Sequence, residues 1–311
     1  MVEFSMIFAF FAGLFLLLAC GDWLVEGAAT LSRRFKLSPV FIGVVVIGLG
    51  TSLPEIVTTF SAALKGQPDM ALGNVVGSNI ANIALIFALG LLLYGRAMMP
   101  VVQARFDYLV MIGVTALFCA LGLLGPLEFM QGLLLVMALM FVLVLMVRRA
   151  AHPDEGGQDE GGSLPAAVIL VCAGLAGLFM GGELLVKGSI AMAQGFGISA
   201  KVIGLTLMAV GTSLPELAAT LAAARKREGG MILGNILGSN IMNLLAAVGP
   251  SALIHTLPVG HMAQDMFVMV VVALMMGIYM YRPQRSGIPL AVAFLVLYAG
   301  YVGWLGLHLQ P

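Results

Sequence analysis

Apolar residues fall into ten long runs, at 4–21, 39–64, 70–93, 106–124, 127–147, 164–186, 200–224, 231–254, 265–281 and 288–307, separated by short polar segments. Runs of this kind match the roughly 20 residues an α-helix needs to cross a bilayer. The pattern predicts an all-α polytopic membrane protein with ten transmembrane helices. One polar stretch stands apart. Arg148 to Ser163 holds Pro153, four acidic residues and a cluster of glycines, and reads as a flexible linker without a packed core. It separates a first five-span unit, residues 1–147, from a second, residues 164–311.

The two units repeat one another at a constant offset. Gly50-Thr51-Ser52-Leu53-Pro54-Glu55 returns as Gly211-Thr212-Ser213-Leu214-Pro215-Glu216, and Gly73-Asn74-Val75-Val76-Gly77-Ser78-Asn79-Ile80-Ala81-Asn82 returns as Gly234-Asn235-Ile236-Leu237-Gly238-Ser239-Asn240-Ile241-Met242-Asn243. The same spacing relates Gly21-Asp22-Trp23-Leu24-Val25 to Gly182-Glu183-Leu184-Leu185-Val186. Because each unit has an odd number of spans, the second copy enters the membrane from the opposite side. The expectation is two inverted five-helix repeats, an arrangement that places a shared site near the bilayer midplane.

Composition narrows the function classes. A mean hydropathy of +1.07 with 10% charged residues is too apolar for a soluble chain of this size. Zero formal net charge offers no basic surface for nucleic acid, and neither a phosphate-binding glycine loop nor a HExxH helix is present. Cys20, Cys119 and Cys172 lie in apolar surroundings without ligand-like spacing, and read as small residues of the membrane core. Met1-Val2-Glu3 lacks the positive flank of a cleavable signal, so the first run is expected to remain as a transmembrane helix. Lys and Arg accumulate in cytoplasmic loops. With the amino terminus outside, twelve basic residues fall on the inner side and only Lys65, Lys187 and Lys201 on the outer. Both termini should then face the periplasm or exterior of a cytoplasmic membrane.

Candidate chemistry centres on two acids. Of fifteen acidic residues, only Glu55 and Glu216 sit well inside predicted spans. A carboxylate at that depth costs at least about 2.5–3.5 kcal/mol. No basic residue is placed to pair with them, so a bound cation is the expected counter-charge. On a continuous helix, Thr51 and Ser52 would share a face with Glu55, and Thr212 and Ser213 with Glu216. Ser78 and Asn82, like Ser239 and Asn243, are also four apart. Pro54 and Pro215 should kink their helices, freeing carbonyls around Gly48 and Ala209 to point at a cation. Every side-chain donor is an oxygen-bearing carboxylate, hydroxyl or amide, which suits hard ions such as Ca²⁺ and Na⁺ and argues against zinc or copper. One Ca²⁺ or several Na⁺ could balance the two carboxylates. Asn74 and Asn235 read either as supports of the site or as helix-breaking residues. Asp22 and Glu183 read as interfacial charges, and His255 and His261 as ordinary loop residues.

The doubled GTSLPE and GSNxxN segments resemble the two alpha-repeats of the calcium/cation antiporter superfamily, in its sodium/calcium exchanger branch of bacterial and archaeal type. The resemblance is densest over 38–82 and 199–243. It implies that Glu55 and Glu216 coordinate Ca²⁺ and a neighbouring Na⁺, with Thr51, Ser52, Thr212, Ser213, Ser78, Asn82, Ser239 and Asn243 completing the set. Potassium-dependent relatives carry Asp where this chain has Asn243, which weighs against potassium dependence. The reading is a secondary antiporter, not an enzyme, with transported Ca²⁺ and Na⁺, no organic cofactor, and a lipid bilayer around it. A Ca²⁺/H⁺ antiporter on the same fold is the alternative, and a passive cation channel or ion sensor a more distant one.

Overall fold

The computed structural model describes residues 4–94, 99–150, 162–195 and 211–308. Among these the chain is helical, with a single antiparallel bridge joining the loop residues Leu127 and Leu257. The helices are α1 (Phe4–Phe35), α2 (Pro39–Thr51), α3 (Leu53–Leu64), α4 (Pro68–Tyr94), α5 (Val101–Leu124), α6 (Phe129–Ala150), α7 (Leu164–Gly195), α8 (Leu214–Arg225), α9 (Gly229–Ile254), α10 (Ala263–Tyr281) and α11 (Pro283–His308). Eight are individually long and apolar enough to span a bilayer, and α2 with α3 makes a ninth if counted as one bent span. The predicted span at 200–224 begins outside the described residues, and α8 is its described part.

The proline of each repeated motif acts as a helix start. Ser52 (φ −82°, ψ 0°) and Ser213 (φ −89°, ψ 9°) leave ideal helical geometry, and α3 and α8 begin one residue later with proline in the first turn. A proline there forfeits no hydrogen bond, because first-turn N–H groups have no intrahelical acceptor. The α2–α3 axis bends by 43° at this point. Each short helix then ends in the same turn. Gly66 (φ 66°) and Arg227 (φ 61°) both adopt left-handed backbone, while Gln67 N–H returns to Ala62 O and Glu228 N–H to Ala223 O, each at 2.9 Å. Glycine takes this conformation freely and arginine at a cost of about 1–2 kcal/mol. Arg227 is held by its own contacts: its Nη1 donates to Tyr94 O, and Tyr94 Oη donates to Arg227 O.

Helices α4 and α9 form the centre, with 78% and 94% of their most apolar windows buried, against 28% for α1 and α7 and 17% for α11. Glycine permits the closest approach. A Cβ on Gly43 of α2 would lie 2.9 Å from Gly234 Cα of α9, so the two backbones meet with no side chain between them. Helices α1 and α7 pack together antiparallel along small residues, since Gly13 faces Gly181, Cys20 faces Gly177 and Leu24 faces Gly174.

Several sequence expectations change. Helix α1 runs to Phe35, not to 21, and α7 to Gly195, not to 186, so Asp22 and Glu183 lie within helices and not at their ends, and Glu26 is helical too. They remain accessible: Asp22 pairs with Arg225 at 2.9 Å, Glu26 with Lys226 at 3.0 Å, and Glu183 with Lys187 at 2.7 Å. Helix α5 starts at Val101, not at 106, which moves Asp107 away from the helix end and makes it, with Glu55 and Glu216, the third buried acid among the described residues. It is buried, and Arg149 from the end of α6 reaches it at 3.3 Å. Hydropathy places the ends too narrowly because amphipathic ends continue as helix beyond the apolar run. All three cysteines are free, but only Cys20 is buried, and Cys172 is exposed on the outer face of α7. His261 is not a plain loop residue, since its Nε2 lies 3.3 Å from Asp69.

Candidate functional site

Both glutamates end up fully buried at the start of α3 and α8, in the first turn after the break. Sequence spacing suggested that each would be served by hydroxyls of its own repeat. The bend at Ser52 redirects them. Ser52 Oγ donates to Glu216 Oε1 at 3.1 Å, and Ser213 Oγ donates to Glu55 Oε1 at 3.2 Å. The i, i+3 and i, i+4 rule holds only for an unbroken helix, and the break turns each serine toward the opposite repeat.

The threonines cross in the same way. Thr51 Oγ1 donates to Asn235 Oδ1 at 3.2 Å and Thr212 Oγ1 to Asn74 Oδ1 at 3.4 Å. Those asparagines in turn brace the glutamate helices. Asn74 Nδ2 donates to Glu55 O and to Thr59 Oγ1, and Asn235 Nδ2 donates to Glu216 O and to Thr220 Oγ1. The backbone carbonyl of each glutamate is thus held by an amide that also receives the other repeat's threonine. Asn74 and Asn235 do not break their own helices, which continue through them, and their amides tie those helices to the ones that carry the glutamates.

Helices α4 and α9 supply the second layer. Their helical winding loosens to π-type turns at Asn82–Phe87 and Asn243–Ala247, beginning at the equivalent asparagine in each repeat. Such turns displace side chains from the regular helical register and recur at functional sites. Asn243 Nδ2 donates to Asn79 Oδ1 at 3.1 Å, and Asn79 Nδ2 to Asn240 O at 3.2 Å. Asn79 and Asn240 belong to the motif but were not among the candidate ligands. Ser78, Asn82, Ser239 and Asn243 are all buried. Gly48 departs from expectation: its carbonyl is not free, because it accepts Ser239 Oγ and Ser52 N–H, both at 3.2 Å. Ala209, its counterpart, lies outside the described residues.

What remains unpaired defines the chemistry. Among the described residues, the buried side-chain atoms without a hydrogen-bond partner are Glu55 Oε2, Glu216 Oε2, Asn82 Oδ1, Asn82 Nδ2 and Asn243 Oδ1. Each such atom costs about 1–3 kcal/mol, and more when charged. All five belong to the repeated motifs. Each carboxylate spends one oxygen on the other repeat's serine and keeps the other free. No lysine, arginine or histidine pairs with either glutamate among the described residues, and no group of three or more Asp, Glu, His or Cys forms there. Two free carboxylate oxygens with neutral amide oxygens form a donor set for a hard cation.

The family profile described as sodium/calcium exchanger protein matches residues 5–148 and 166–307. The chain belongs to this family. Its repeats are therefore those of a calcium/cation antiporter, and it is a multi-pass membrane protein of ion transport. An uncharacterised membrane protein of Methanocaldococcus jannaschii is 34% identical over 93% of this chain and 94% of its own length. The inner membrane protein YrbG of Escherichia coli is 32% identical over 95% and 94%, and the sodium/calcium exchanger MaX1 of Methanosarcina acetivorans 28% identical over 81% and 83%. A solved structure of the sodium–calcium exchanger NCX_Mj aligns over the full length of both chains with a TM-score of 0.85 at 31% identity. In this exchanger chain, sequence reasoning missed the crossing of the hydroxyls and the role of Asn79 and Asn240. The signal for Asn79 and Asn240 was present, since both recur at the repeat offset.

Proposed function

We propose that the chain exchanges Na⁺ for Ca²⁺ across the cytoplasmic membrane, by alternating access to one central site between two inverted repeats. The observation that carries this reading is the pair of buried glutamates, each with one oxygen held by the opposite repeat and one left free, together with the free amide oxygens of Asn82 and Asn243 in the same repeated motifs. Ca²⁺ matches the formal charge of two carboxylates, and several Na⁺ can occupy the same oxygens, so the ions compete. Glu55 and Glu216 are the charged ligands. Thr51, Ser52, Thr212, Ser213, Ser78, Asn82, Ser239 and Asn243 supply or position neutral oxygens. The exchanger activity carried in the names of MaX1 and NCX_Mj supports the same cargo.

Ten spans, five on each side of the linker at 148–163, give the two units opposite orientations, a plan that the antiparallel packing of α1 on α7 supports. The basic residues gather at one end of the bundle: Arg33, Lys36 and Arg227 line one groove there and Arg105, Arg282 and Arg285 its neighbour, both walled by Pro100 and Gln103. That end faces the cytoplasm and the termini lie on the other side. Helices α1 and α7, paired with each other and less buried than α4 and α9, are the elements that shift to open either face.

The test is uptake of radioactive Ca²⁺ into Na⁺-loaded vesicles, with external Na⁺, K⁺ and pH varied separately. Uptake should require the Na⁺ gradient and proceed without K⁺, because Asn243 brings no third carboxylate. Acidification should lower it, since protons compete for the glutamates, and added Ca²⁺ should restore it. Uptake driven by a pH gradient in the absence of Na⁺ would favour proton coupling on the same fold. Ca²⁺ movement without saturable counterflow would point to a channel.

A further inference from the structure

A second site lies away from the glutamates, at the basic end of the bundle. Residues 99–105, at the start of α5, and the corner between α10 and α11 enclose a groove of about 730 Å³. Among the described residues, three arginines, Arg105, Arg282 and Arg285, line it, and no Asp or Glu does. Arg105 is fixed at the wall: its Nε donates to Met280 O at 3.2 Å and its guanidinium lies 5.0 Å from the centre of the Tyr281 ring. Arg282 and Arg285 are exposed and three residues apart, and neither has a carboxylate partner among the described residues. The amino-terminal ends of α5 and α11, helices of 24 and 26 residues, both begin at this groove and add positive potential. Its rim is apolar, since Val102 is 70% and Tyr281 53% exposed.

We propose that this groove binds the headgroup of an anionic phospholipid, with the phosphate among Arg105, Arg282 and Arg285 and the acyl chains against Val102 and Tyr281. Basic pockets between transmembrane helices at the membrane boundary take such headgroups, and arginine suits phosphate through its planar set of donors. The neighbouring groove is a useful contrast. It also carries basic residues, but Glu228 lines it and Arg227 is engaged with Tyr94. The position beside the apolar rim favours a lipid over a free anion, and the site does not depend on which ions the central site carries.

The experiment uses the purified full-length protein in a mild non-ionic detergent. Phosphatidylglycerol, phosphatidylcholine with the same acyl chains, and sodium phosphate are added separately, and retained lipid is read by native mass spectrometry beside the thermal unfolding midpoint. Phosphatidylglycerol should be retained and raise the midpoint, whereas phosphatidylcholine and sodium phosphate should do neither at equal concentration. At about fivefold per basic residue near a lipid surface, R282Q/R285Q should bind phosphatidylglycerol about thirtyfold more weakly. R33Q/R34Q, at the end of α1, should bind as the unaltered protein does. If the double variant does not fold, R285Q alone should show about a fivefold loss. Equal retention of the two lipids, undiminished binding in the R282Q/R285Q or R285Q variant, or the same stabilisation by sodium phosphate would each overturn the proposal.

Discussion

The two halves of the central site share one chemistry and differ in access. Ser52 and Ser213 reach across to opposite glutamates, and Thr51 and Thr212 to opposite asparagines, with distances that agree within a few tenths of an ångström. Yet Thr51 and Asn235 are fully buried, at 0% and 1% exposure, while Thr212 and Asn74 are only half-buried. Helix α1 packs on α8, the helix that Asn235 braces. Gly21 lies against the backbone of Ala218 in α8, and two ion pairs, Asp22 with Arg225 and Glu26 with Lys226, tie the same helices together. At the other end Glu183, the repeat equivalent of Asp22, pairs within its own helix with Lys187. The repeated motifs thus make matching hydrogen bonds, and the halves differ in the burial of those residues and in which helix ends are tied by ion pairs.

The comparison implies equal chemical weight for the two acids, which the largest predicted effect tests. Glu55→Gln and Glu216→Gln should each abolish exchange while the protein still folds, with Ca²⁺ affinity falling by about two orders of magnitude or more, the scale of removing one partner from a buried charge pair. Calorimetric Ca²⁺ binding and vesicle flux would check it, and near-normal flux in either variant would break the equivalence. Next come the hydroxyls. Alanine at Ser52, Ser213, Thr51 or Thr212 should raise the Na⁺ concentration for half-maximal exchange several-fold and alter Ca²⁺ less, because Na⁺ relies more on neutral oxygens. Each serine variant should act through the other repeat's glutamate, so S52A should be non-additive with E216Q and additive with E55Q in binding measurements. The reverse pattern would show that the crossing seen here is not the one that matters.

Much of this architecture is legible in the amino-acid sequence. The repeat offset, the depth of Glu55 and Glu216 and the interruption before each proline follow from residue types and spacing alone. Partner choice does not, because helical spacing describes neighbours on one continuous element, whereas the serines sit at a break and face a repeat far away in sequence. Asp107 is hidden for a different reason: hydropathy cannot show that a helix starts five residues before its apolar run, nor that Arg149 returns to neutralise an acid there. Asn74 and Asn235 can be placed near the site by their spacing but not given a role, since one amide bonds to its own repeat and receives a hydroxyl from the other.

Burial ranks the next pair of variants. Asn235→Ala removes two donated hydrogen bonds in a fully buried setting and takes a partner from the Thr220 and Thr51 hydroxyls, at about 1–3 kcal/mol for each unsatisfied group. Asn74→Ala removes the equivalent bonds where water can replace them. N235A should therefore lower the thermal unfolding midpoint clearly more than N74A. Equal shifts would mean that the difference in exposure carries no energetic weight.

The smallest expected effect concerns the ion pairs that close the basic end. They are partly solvent-exposed, and such pairs contribute about 0.2–1 kcal/mol each. D22N/E26Q removes both carboxylates without touching a candidate ion ligand, so Ca²⁺ affinity at the glutamates should stay within about twofold. What should change is the ratio of closed to open forms at that end, by about fivefold if each pair contributes near 0.5 kcal/mol. Hydrogen–deuterium exchange reads this directly: amides at the end of α8, from Arg225 to Glu228, should exchange faster in D22N/E26Q, and high salt should move the unaltered protein the same way by screening the pairs. E183Q, which breaks only a bond within α7, should leave those amides unchanged. If D22N/E26Q leaves α8 exchange unaltered, the tight packing of Gly21 on α8 seals the basic end and the ion pairs only decorate it.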